Sequence, residues 1–392
     1  MMQVRQVRED ELDAMVVIMC RAFGLPIAPA RNLFFDDPYF DLRHKRVLTL
    51  DGCLVSCLTL ASAAIRFGAA VVPLMGIAGV ATRPEDQRRG YATRLLLDTV
   101  ADLASGDVGL VALVADTPGF YERLGWRPCG RQARLRFAAG PVAVAYAGPR
   151  PRKARETDAP WIARIHAGVT GTRDGSAERD EKRWRYLLRF VQQSWVWPAR
   201  GLPQGYVLFE SRPDPPGALV RVIEIAATSD EARRRLWAHA ARHAGTGDLL
   251  WVTESSLCPG ELPPGATPGM QADIQRGVMY RIASFHAALR SLTPNFADWR
   301  GCLRLRCTDP LLGRTTVCEL HGRSDGIEVT EVDSARADVE GDQASWVRVL
   351  TGDASLTDAA HSGLLRAGDG AVAALGPRLP QRDLHLPPAD HF

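Results

Sequence analysis

One stretch, residues 74–97, constrains the fold of this chain more than any other. The apolar segment Leu74–Ala81 reads as a strand, a turn containing Pro84 follows, and a helix is predicted from about Gln87 onward. The junction Gln87–Ala92 carries the pattern [QR]-x-x-G-x-[GA], with Gly90 as its glycine. A strand that runs directly into a glycine-containing helix start is typical of α/β proteins.

The start of the predicted helix is a candidate anion site. The first N–H groups of a helix have no intrahelical partner and lie at the positive end of its dipole. Gly90 lets a phosphate approach the backbone without meeting a Cβ, and Arg88 and Arg89 add positive charge. The spacings of a Rossmann dinucleotide site and of a P-loop are both absent from the sequence.

Length and composition limit the class of protein. The 392 residues predict two or three domains, and the 46% hydrophobic and 24% charged residues are typical of a soluble globular protein. A net charge of +3 gives no argument for nucleic acid. No apolar run is long enough to cross a membrane, and the polar N-terminus is not a signal peptide. We therefore expect a cytoplasmic protein with free thiols and, lacking zinc-type Cys and His spacings, no metal.

The first block extends to about Tyr146 with the predicted order β-α-α-β-β-β-α-β-α-β. A hairpin turn is predicted at Asp51–Gly52, a buried strand at Val108–Ala115, and a final strand pair at Gln132–Tyr146. A Pro- and Arg-rich joint, residues 147–155, follows this block.

After the joint the chain repeats itself in a degenerate form. Lys153–Asp158 echoes Arg5–Asp10, and residues 222–237 echo the strand and helix around Gly90. The aligned register puts Arg235 where Gly90 stands, so we expect the second copy to bind no cofactor. A third, α+β block begins near Ser284. The predicted domains are residues 1–148, 149–283 and 284–392.

The sequence after the candidate anion site resembles a known family. A second buried strand is followed by Gly119–Trp126, which reads G-F-Y-E-R-L-G-W. This arrangement closely resembles the GNAT acetyltransferases, whose late helix reads F-Y-x-x-x-G-F or W. The resemblance implies that acetyl-CoA binds where the strand ending at Thr82 splays from the strand ending at Ala115. The implied contacts are Val80, Ala81, Thr82, Arg88, Arg89, Gly90, Tyr91, Ala92, Thr93, Asp116 and Thr117.

The same resemblance assigns a catalytic role to Tyr121. The matching tyrosine of the family is a general acid that protonates the departing CoA thiolate, and a phenol is protonated at pH 7. A backbone N–H near Val80 would polarise the thioester carbonyl. The alternative is that Tyr121 only packs under the cofactor with its hydroxyl hydrogen-bonded.

The whole-chain layout resembles the Eis (enhanced intracellular survival) acetyltransferases. These combine a GNAT domain, a second GNAT-like domain and a sterol-carrier-protein-like domain, form hexamers, and acetylate amines of aminoglycosides. The resemblance implies that the terminal α-carboxylate, here on Phe392, is the general base. Alternatives are a GNAT that acts on protein lysine or another small amine, and a non-catalytic lipid-binding or interaction protein.

Acidic and aromatic residues are the candidates for binding a cationic acceptor. They are Phe23, Asp36, Asp37 and Asp390, with other aromatics of residues 34–39 as a wall. The alternative is that Asp36–Pro38 is a helix cap or turn and that the aromatics are core. His391 stands where the Eis proteins have an acidic penultimate residue, which puts aminoglycoside affinity in doubt.

Overall fold

A computed structural model describes residues 1–37, 39–146, 148–215, 217–253 and 262–391. The chain forms two compact units. One contains Met1–Cys129 and Val278–Arg382, and the other contains Gly130–Gly277 and Asp383–His391. The cysteines within the described ranges are free thiols, and Cys258 lies outside them.

The first 129 residues supply six strands and four helices of the described structure. The strands are β1 Met2–Gln6, β2 Lys45–Leu50, β3 Cys53–Phe67, β4 Ala70–Thr82, β5 Leu110–Leu113 and β6 Arg127–Pro128. The helices are α1 Leu12–Phe23, α2 Ile27–Phe35, α3 Tyr91–Ser105 and α4 Pro118–Arg123. The predicted turn between β2 and β3 is confirmed, because Asp51 (φ 49°) and Gly52 (φ 82°) both adopt the left-handed backbone that such hairpins need.

The middle of the chain builds the second unit. Its strands are β7 Arg131–Ala138, β8 Arg152–Lys153, β9 Gln193–Trp197, β10 Gly205–Asp214, β11 Gly217–Ala227, β12 Asp248–Thr253 and β13 Gln271–Arg276. Its helices are α5 Ala139–Val144, α6 Ala159–Thr170, α7 Glu181–Phe190 and α8 Asp230–Ala244.

The last part of the chain returns to the first unit. Its strands are β14 Met279–Ile282, β15 Gly301–Asp309, β16 Arg314–Arg323, β17 Gly326–Glu331, β18 Val339–Asp342 and β19 Arg366–Ala367. Its helices are α9 Phe285–Ser291, α10 Gln343–Thr351, α11 Leu356–His361 and α12 Asp369–Leu375. Among the described residues, no helix is long and apolar enough to cross a membrane.

Two of the sheets have the same plan. The strand order is β1-β2-β3-β4-β5-β14-β6 in one and β8-β9-β10-β11-β12-β7-β13 in the other. Each has one parallel neighbour pair, β4 with β5 and β11 with β12, among antiparallel pairs. The repeat inferred from the sequence is therefore visible as repeated topology.

The repeat also has a conserved side-chain cap at its start, one residue earlier than the sequence echo suggested. Arg5 donates twice to Glu11 at 2.7 Å, and Arg152 donates twice to Asp158 at 2.7 Å. In both copies the carboxylate also accepts from a backbone N–H three residues earlier. Arg152, and not Lys153, is thus the structural counterpart of Arg5.

The strand pair predicted at residues 132–146 is wrong in two respects. The segment is one strand, β7, followed by helix α5, and β7 pairs with β12 and β13 in the second sheet. Its alternate residues Ala133, Leu135 and Phe137 are buried in the core of that sheet with Trp237. In the first sheet, β14 lies between β5 and β6 instead.

A third sheet, β17-β16-β15-β18-β19, lies in the same unit as the first. Its buried side includes Leu305, Cys318 and Leu320, and Trp346 of α10 contacts Phe285 of α9 at a ring-centroid distance of 5.1 Å. This block is α+β as the sequence indicated. The domain boundaries at residues 148 and 283 stay predictions.

Candidate active site

The site begins where strands β4 and β5 separate. They pair in parallel over Leu74–Gly76 and Leu110–Ala112, after which β5 ends while β4 continues beside β3 as far as Thr82. Beyond Gly76, the edge of β4 that faces β5 therefore has no ladder hydrogen bonds to β5. An extended ligand can add to such an edge through main-chain hydrogen bonds.

A bulge bends β4 along this open edge. The pairing with β3 slips between Ala78 and Ala81, so Gly79 and Val80 lie in an irregular step of the ladder. Gly79 has φ 59°, and a Cβ there would lie 2.9 Å from Met19 Sδ of α1. Bulges re-aim side chains and backbone groups and recur beside active sites.

The turn after β4 differs from the predicted helix start. Helix α3 begins at Tyr91 and not at Gln87, because Arg88 (φ 62°) and Gly90 (φ 82°) have left-handed backbones that cannot continue a right-handed helix. Gly90 is the N-cap residue, and its carbonyl accepts the first helical bond from Arg94 N–H at 3.0 Å. No side chain of the described residues caps this end.

The α3 end fits a diphosphate by charge and by space. A Cβ on Gly90 would meet no described atom within 4 Å, so the approach to the N–H groups of Tyr91, Ala92 and Thr93 is open. Arg88 and Arg89 are exposed, and Arg89 lies 3.5 Å from the carboxylate of Asp86. Open backbone donors beside exposed guanidinium groups favour an anionic ligand.

Helix α4 follows β5 as α3 follows β4. Thr117 is its N-cap residue, Pro118 occupies its first turn, and Asp116 and Thr117 are exposed. Adjacent parallel strands end at the same edge of a sheet, so both helix starts lie at that edge. Val80, Tyr91, Ala115 and Tyr121 accordingly pack against one core cluster.

Tyr121 is half-buried between Phe120 and Trp126, with ring centroids 5.0 and 6.1 Å away. Burial raises the pKa of the Tyr121 phenol above its usual value of 10, and the charge of Asp116 raises this pKa further. The phenol therefore carries its proton at neutral pH and can donate it. The carbonyl of Tyr121 accepts from Leu124 and Trp126 N–H groups at 2.9 and 3.1 Å, which fixes this turn.

The comparison with protein families agrees with this geometry. A model described as an acetyltransferase (GNAT) domain matches residues 3–129, and a second model with the same description matches residues 175–255. Together the two matches cover more than half of the chain. The chain belongs to the GNAT acetyltransferases.

Solved structures share the fold along the whole chain. A GCN5-related N-acetyltransferase from Anabaena variabilis and a probable N-acyltransferase from Enterococcus faecalis match at 18% identity, with TM-scores of 0.79 and 0.80. Eis1 from Mycobacterium abscessus matches at 19% identity and a TM-score of 0.68. Each match covers 100% of both chains. No curated protein matches in sequence.

These findings confirm an acetyl-CoA-dependent N-acetyltransferase of the GNAT family with an Eis-like layout and two GNAT domains. In this family the acetyl donor is acetyl-CoA. The edge of β4 at Val80–Thr82, which β5 leaves unpaired, fits the pantetheine arm of acetyl-CoA. The N-terminus of α3, which no described side chain caps, fits the diphosphate. Ala81 is buried and the Thr82 hydroxyl lies 2.9 Å from that of Ser56, so this edge would bind through its backbone.

In the first GNAT domain, three of the predicted acceptor residues, Phe23, Asp36 and Asp37, lie at or just after the ends of helices α1 and α2. Phe23, the last residue of α1, is 49% exposed. Asp36 ends α2 and is exposed, while Asp37 accepts a hydrogen bond from Tyr39 N–H at 2.9 Å. Asp36 thus lies at a helix end and Asp37 in a turn, as the alternative interpretation of these residues expected.

Lys45 is a residue that sequence reasoning missed in this GNAT domain. It is buried, and its Nζ lies 4.5 Å from the ring centroid of Phe34 and 5.2 Å from that of Phe40. Burial lowers the pKa of Lys45 to about 8, against the opposing charges of Asp37 and Asp41. Phe34 and Phe40 therefore pack against the buried ammonium group of Lys45. The rarity of lysine in the chain is the feature of the sequence that could have drawn attention to this residue.

The C-terminal tail supplies two of the predicted site residues. Asp390 is buried and bound to Arg179, so its charge is neutralised inside the second unit and does not face a substrate. Phe392 lies outside the described residues. Its role as general base stays a prediction.

The start of α8 in the second GNAT domain differs from the start of α3, but not through Arg235 as predicted. Only Thr228 and Ser229 connect β11 with α8, whereas Arg83–Gly90 connects β4 with α3. Ser229 caps α8 by accepting from Ala232 N–H at 3.2 Å, and Asp230 and Glu231 occupy the first turn. Arg235 lies in the second turn, so it is not the counterpart of Gly90.

Proposed function

We propose that this GNAT acetyltransferase acetylates primary amines of cationic small molecules of the aminoglycoside or polyamine class. The observation that carries this proposal is the packing of α1 over the bulge in β4, through Met19 and Gly79. The end of α1 and the start of α2 expose Phe23, Leu25 and Ile27, and Asp36 is exposed at the other end of α2. An exposed apolar surface and an exposed carboxylate on the same helix suit a polyamine with a hydrocarbon or sugar frame.

The proposed reaction uses few residues of the chain. Acetyl-CoA supplies an acetyl thioester that is activated toward amines. The backbone of Val80–Thr82 and the N–H groups of Tyr91–Thr93 hold the donor, and Arg88 and Arg89 add charge. Tyr121 holds a proton on Oη for the leaving sulfur, and the α-carboxylate of Phe392 accepts a proton from the amine. The Phe392 role rests on the Eis resemblance.

We further propose that residues 284–392 form a sterol-carrier-protein-like domain and that the protein assembles as a hexamer. The five-stranded third sheet with α9 and α10 supports the first suggestion. The resemblance of the layout to Eis proteins supports the second. We also propose that the second GNAT domain binds no acetyl-CoA, because its helix start is capped and acidic.

An acceptor panel tests the proposed substrate class. Release of the CoA thiol would be followed with acetyl-CoA and kanamycin, spermidine, a lysyl peptide or aniline, a primary amine that is uncharged at pH 7. We expect turnover with kanamycin or spermidine at a kcat/KM at least about tenfold above that for the lysyl peptide. The variant Tyr121→Phe serves as the low-activity control. A lysyl peptide that is used best would overturn the substrate class and leave the acetyltransferase chemistry intact.

A further inference from the structure

The second GNAT domain contains its own gap between parallel strands. Strands β11 and β12 pair over Val220–Val222 and Leu249–Trp251, and β11 then continues to Ala227 beside β10, without pairing to β12. This is the same separation that β4 and β5 show in the first domain. A cavity of about 90 Å³ lies in the gap. Its lining includes Ile223, Glu224, Ala226, Trp251, His385 and Pro387.

Two of these lining residues belong to the C-terminal tail, so the chain itself enters the gap. The N–H of His385 donates to the carbonyl of Asp174 at 2.7 Å. Gly175 has φ 81°, and a Cβ there would lie 2.6 Å from His385 N, so only glycine permits this close passage. Ala389 is buried in the core cluster that contains Ile162 and Ile223.

The tail is fastened by a buried ion network. Arg179 donates from Nε and Nη2 to both carboxylate oxygens of Asp390 at 2.6 Å. It also donates from Nη1 to Glu224 of β11 at 3.0 Å. The side chains of Arg179 and Asp390 are only 1% and 5% exposed. Arg183 adds a bond to the carbonyl of Ala389 at 3.1 Å.

This arrangement is unusual for a chain end. Terminal residues are poorly ordered unless contacts hold them, and ordering them costs conformational entropy. A bidentate, buried Arg–carboxylate pair selects one register, because any slip would leave charges buried without partners. The Arg179–Asp390 pair therefore fixes the register of the tail as far as Asp390.

We propose that the second GNAT domain is the receptor for the chain's own C-terminal segment, and that Arg179 and Asp390 are positioning residues for the α-carboxylate of Phe392. The gap that would hold a pantetheine arm in an active copy holds residues 385–390 instead. The proposal rests on the proposed role of Phe392 as general base. It explains why a copy without an anion site would be retained.

The variant Asp390→Asn tests the anchor in the full-length protein. It removes the charge of the pair and leaves Arg179 bound to Glu224, so the fold should survive, as thermal unfolding would show. We expect carboxypeptidase A to release Phe392 from the folded variant at least about tenfold faster. We also expect kcat to fall by a similar factor while the KM for acetyl-CoA stays unchanged. Asp390→Glu should release Phe392 more slowly than Asp390→Asn does and should have a higher kcat than that variant.

A matched control and a second variant complete the test. Asp248→Asn breaks the exposed pair with Arg136 in the same unit and should change neither release nor kcat. Ala389→Glu puts a charge into the apolar contact and should detach the tail without touching Arg179. An unchanged release rate in both tail variants would overturn the anchor, and faster release with full kcat would overturn the positioning role. Removal of Phe392 with full turnover would instead overturn the base role, while the release rates would still report the anchor.

Discussion

At the scale of single residues, the first GNAT site depends on backbone shape as much as on side chains. Gly90 adopts φ 82°, which a residue with a Cβ rarely adopts, so glycine is needed for the backbone at the helix start. No described atom lies within 4 Å of where its Cβ would be, so a side chain there would obstruct a ligand but not the protein itself. Tyr121, the proposed proton donor, is kept protonated by its surroundings, since burial and the charge of Asp116 raise its pKa. Neither property can be seen in the residue type alone.

Replacing Gly90 by alanine should weaken donor binding. A left-handed backbone costs a Cβ-bearing residue about 1–2 kcal/mol, which corresponds to a KM for acetyl-CoA raised roughly tenfold. Initial rates at varied acetyl-CoA would show this change. Gly168→Ala is the control, because Gly168 of α6 also has open space around it but does not have a positive φ. A Gly90→Ala enzyme with an unchanged KM would contradict the role assigned to this turn.

Replacing Tyr121 by phenylalanine should lower kcat by about 10²-fold or more, with little change in the KM for acetyl-CoA. The protonated phenol is the active form, so activity is lost as the pH rises through its pKa. Because that pKa lies above 10, the limb due to Tyr121 lies above pH 10 in the wild type and is missing from the variant. A variant that keeps the wild-type kcat would show that Tyr121 only packs.

At the scale of elements, corresponding parts of the two copies have diverged at the connection between strand and helix. The first copy keeps a long turn with two left-handed residues before α3. The second has a short, serine-capped entry to α8 with acidic residues in its first turn. By contrast, the cap before α1 and α6 is retained in both, as Arg5–Glu11 and Arg152–Asp158. The two copies therefore differ at the helix start that follows the central strand, while they share the Arg–carboxylate cap before the first helix.

The Glu11 cap predicts a specific pH dependence of stability. The hydrogen bond from Arg5 lowers the pKa of Glu11 from its ordinary 4.5 to about 2. Its contribution is therefore complete above pH 4.5 and is lost as the pH falls toward 2. Glu11→Gln should reduce the free energy of unfolding by about 1–3 kcal/mol at pH 7 and by progressively less below pH 4.5.

Urea unfolding at several pH values would measure this effect. Asp10→Asn is the control, because Asp10 is an exposed neighbour whose pair with Arg8 is long at 3.3 Å. We expect that control to stay within about 0.5 kcal/mol of the wild type. A constant difference between Glu11→Gln and the wild type from pH 7 to 2 would contradict the proposed linkage.

At the scale of the whole molecule, the first sheet is completed only after the chain has passed through the second unit. Strand β7 leaves the first block for the second sheet, and β14 returns to fill the place between β5 and β6. All strands of the second sheet lie within residues 131–276, whereas the first sheet takes strands from both sides of that segment. The first sheet is therefore incomplete without β14, which follows the strands of the second unit in the sequence.

A fragment test follows from this topology. Residues 1–148, the first domain predicted from the sequence, lack β14 and should not unfold cooperatively when expressed alone. A chain that joins 1–129 to 278–382 through a short Gly–Ser linker should do so, because Cys129 N–H bonds to Val278 carbonyl at 2.9 Å. Thermal unfolding followed by circular dichroism separates the two results. A cooperative 1–148 fragment would contradict the requirement for β14.

The sequence by itself determined the family, the strand–turn–helix around Gly90, the position of Tyr121 and the presence of a repeat. These follow from local patterns, namely apolar periodicity, glycine in a turn and a short aromatic motif. Only the tertiary structure decided that α3 begins at Tyr91, that Ser229 caps α8, that β7 and β14 serve the other block's sheet, and that Asp390 is bound to Arg179. Each of these depends on backbone dihedrals or on contacts between residues far apart in the chain, which local patterns do not encode.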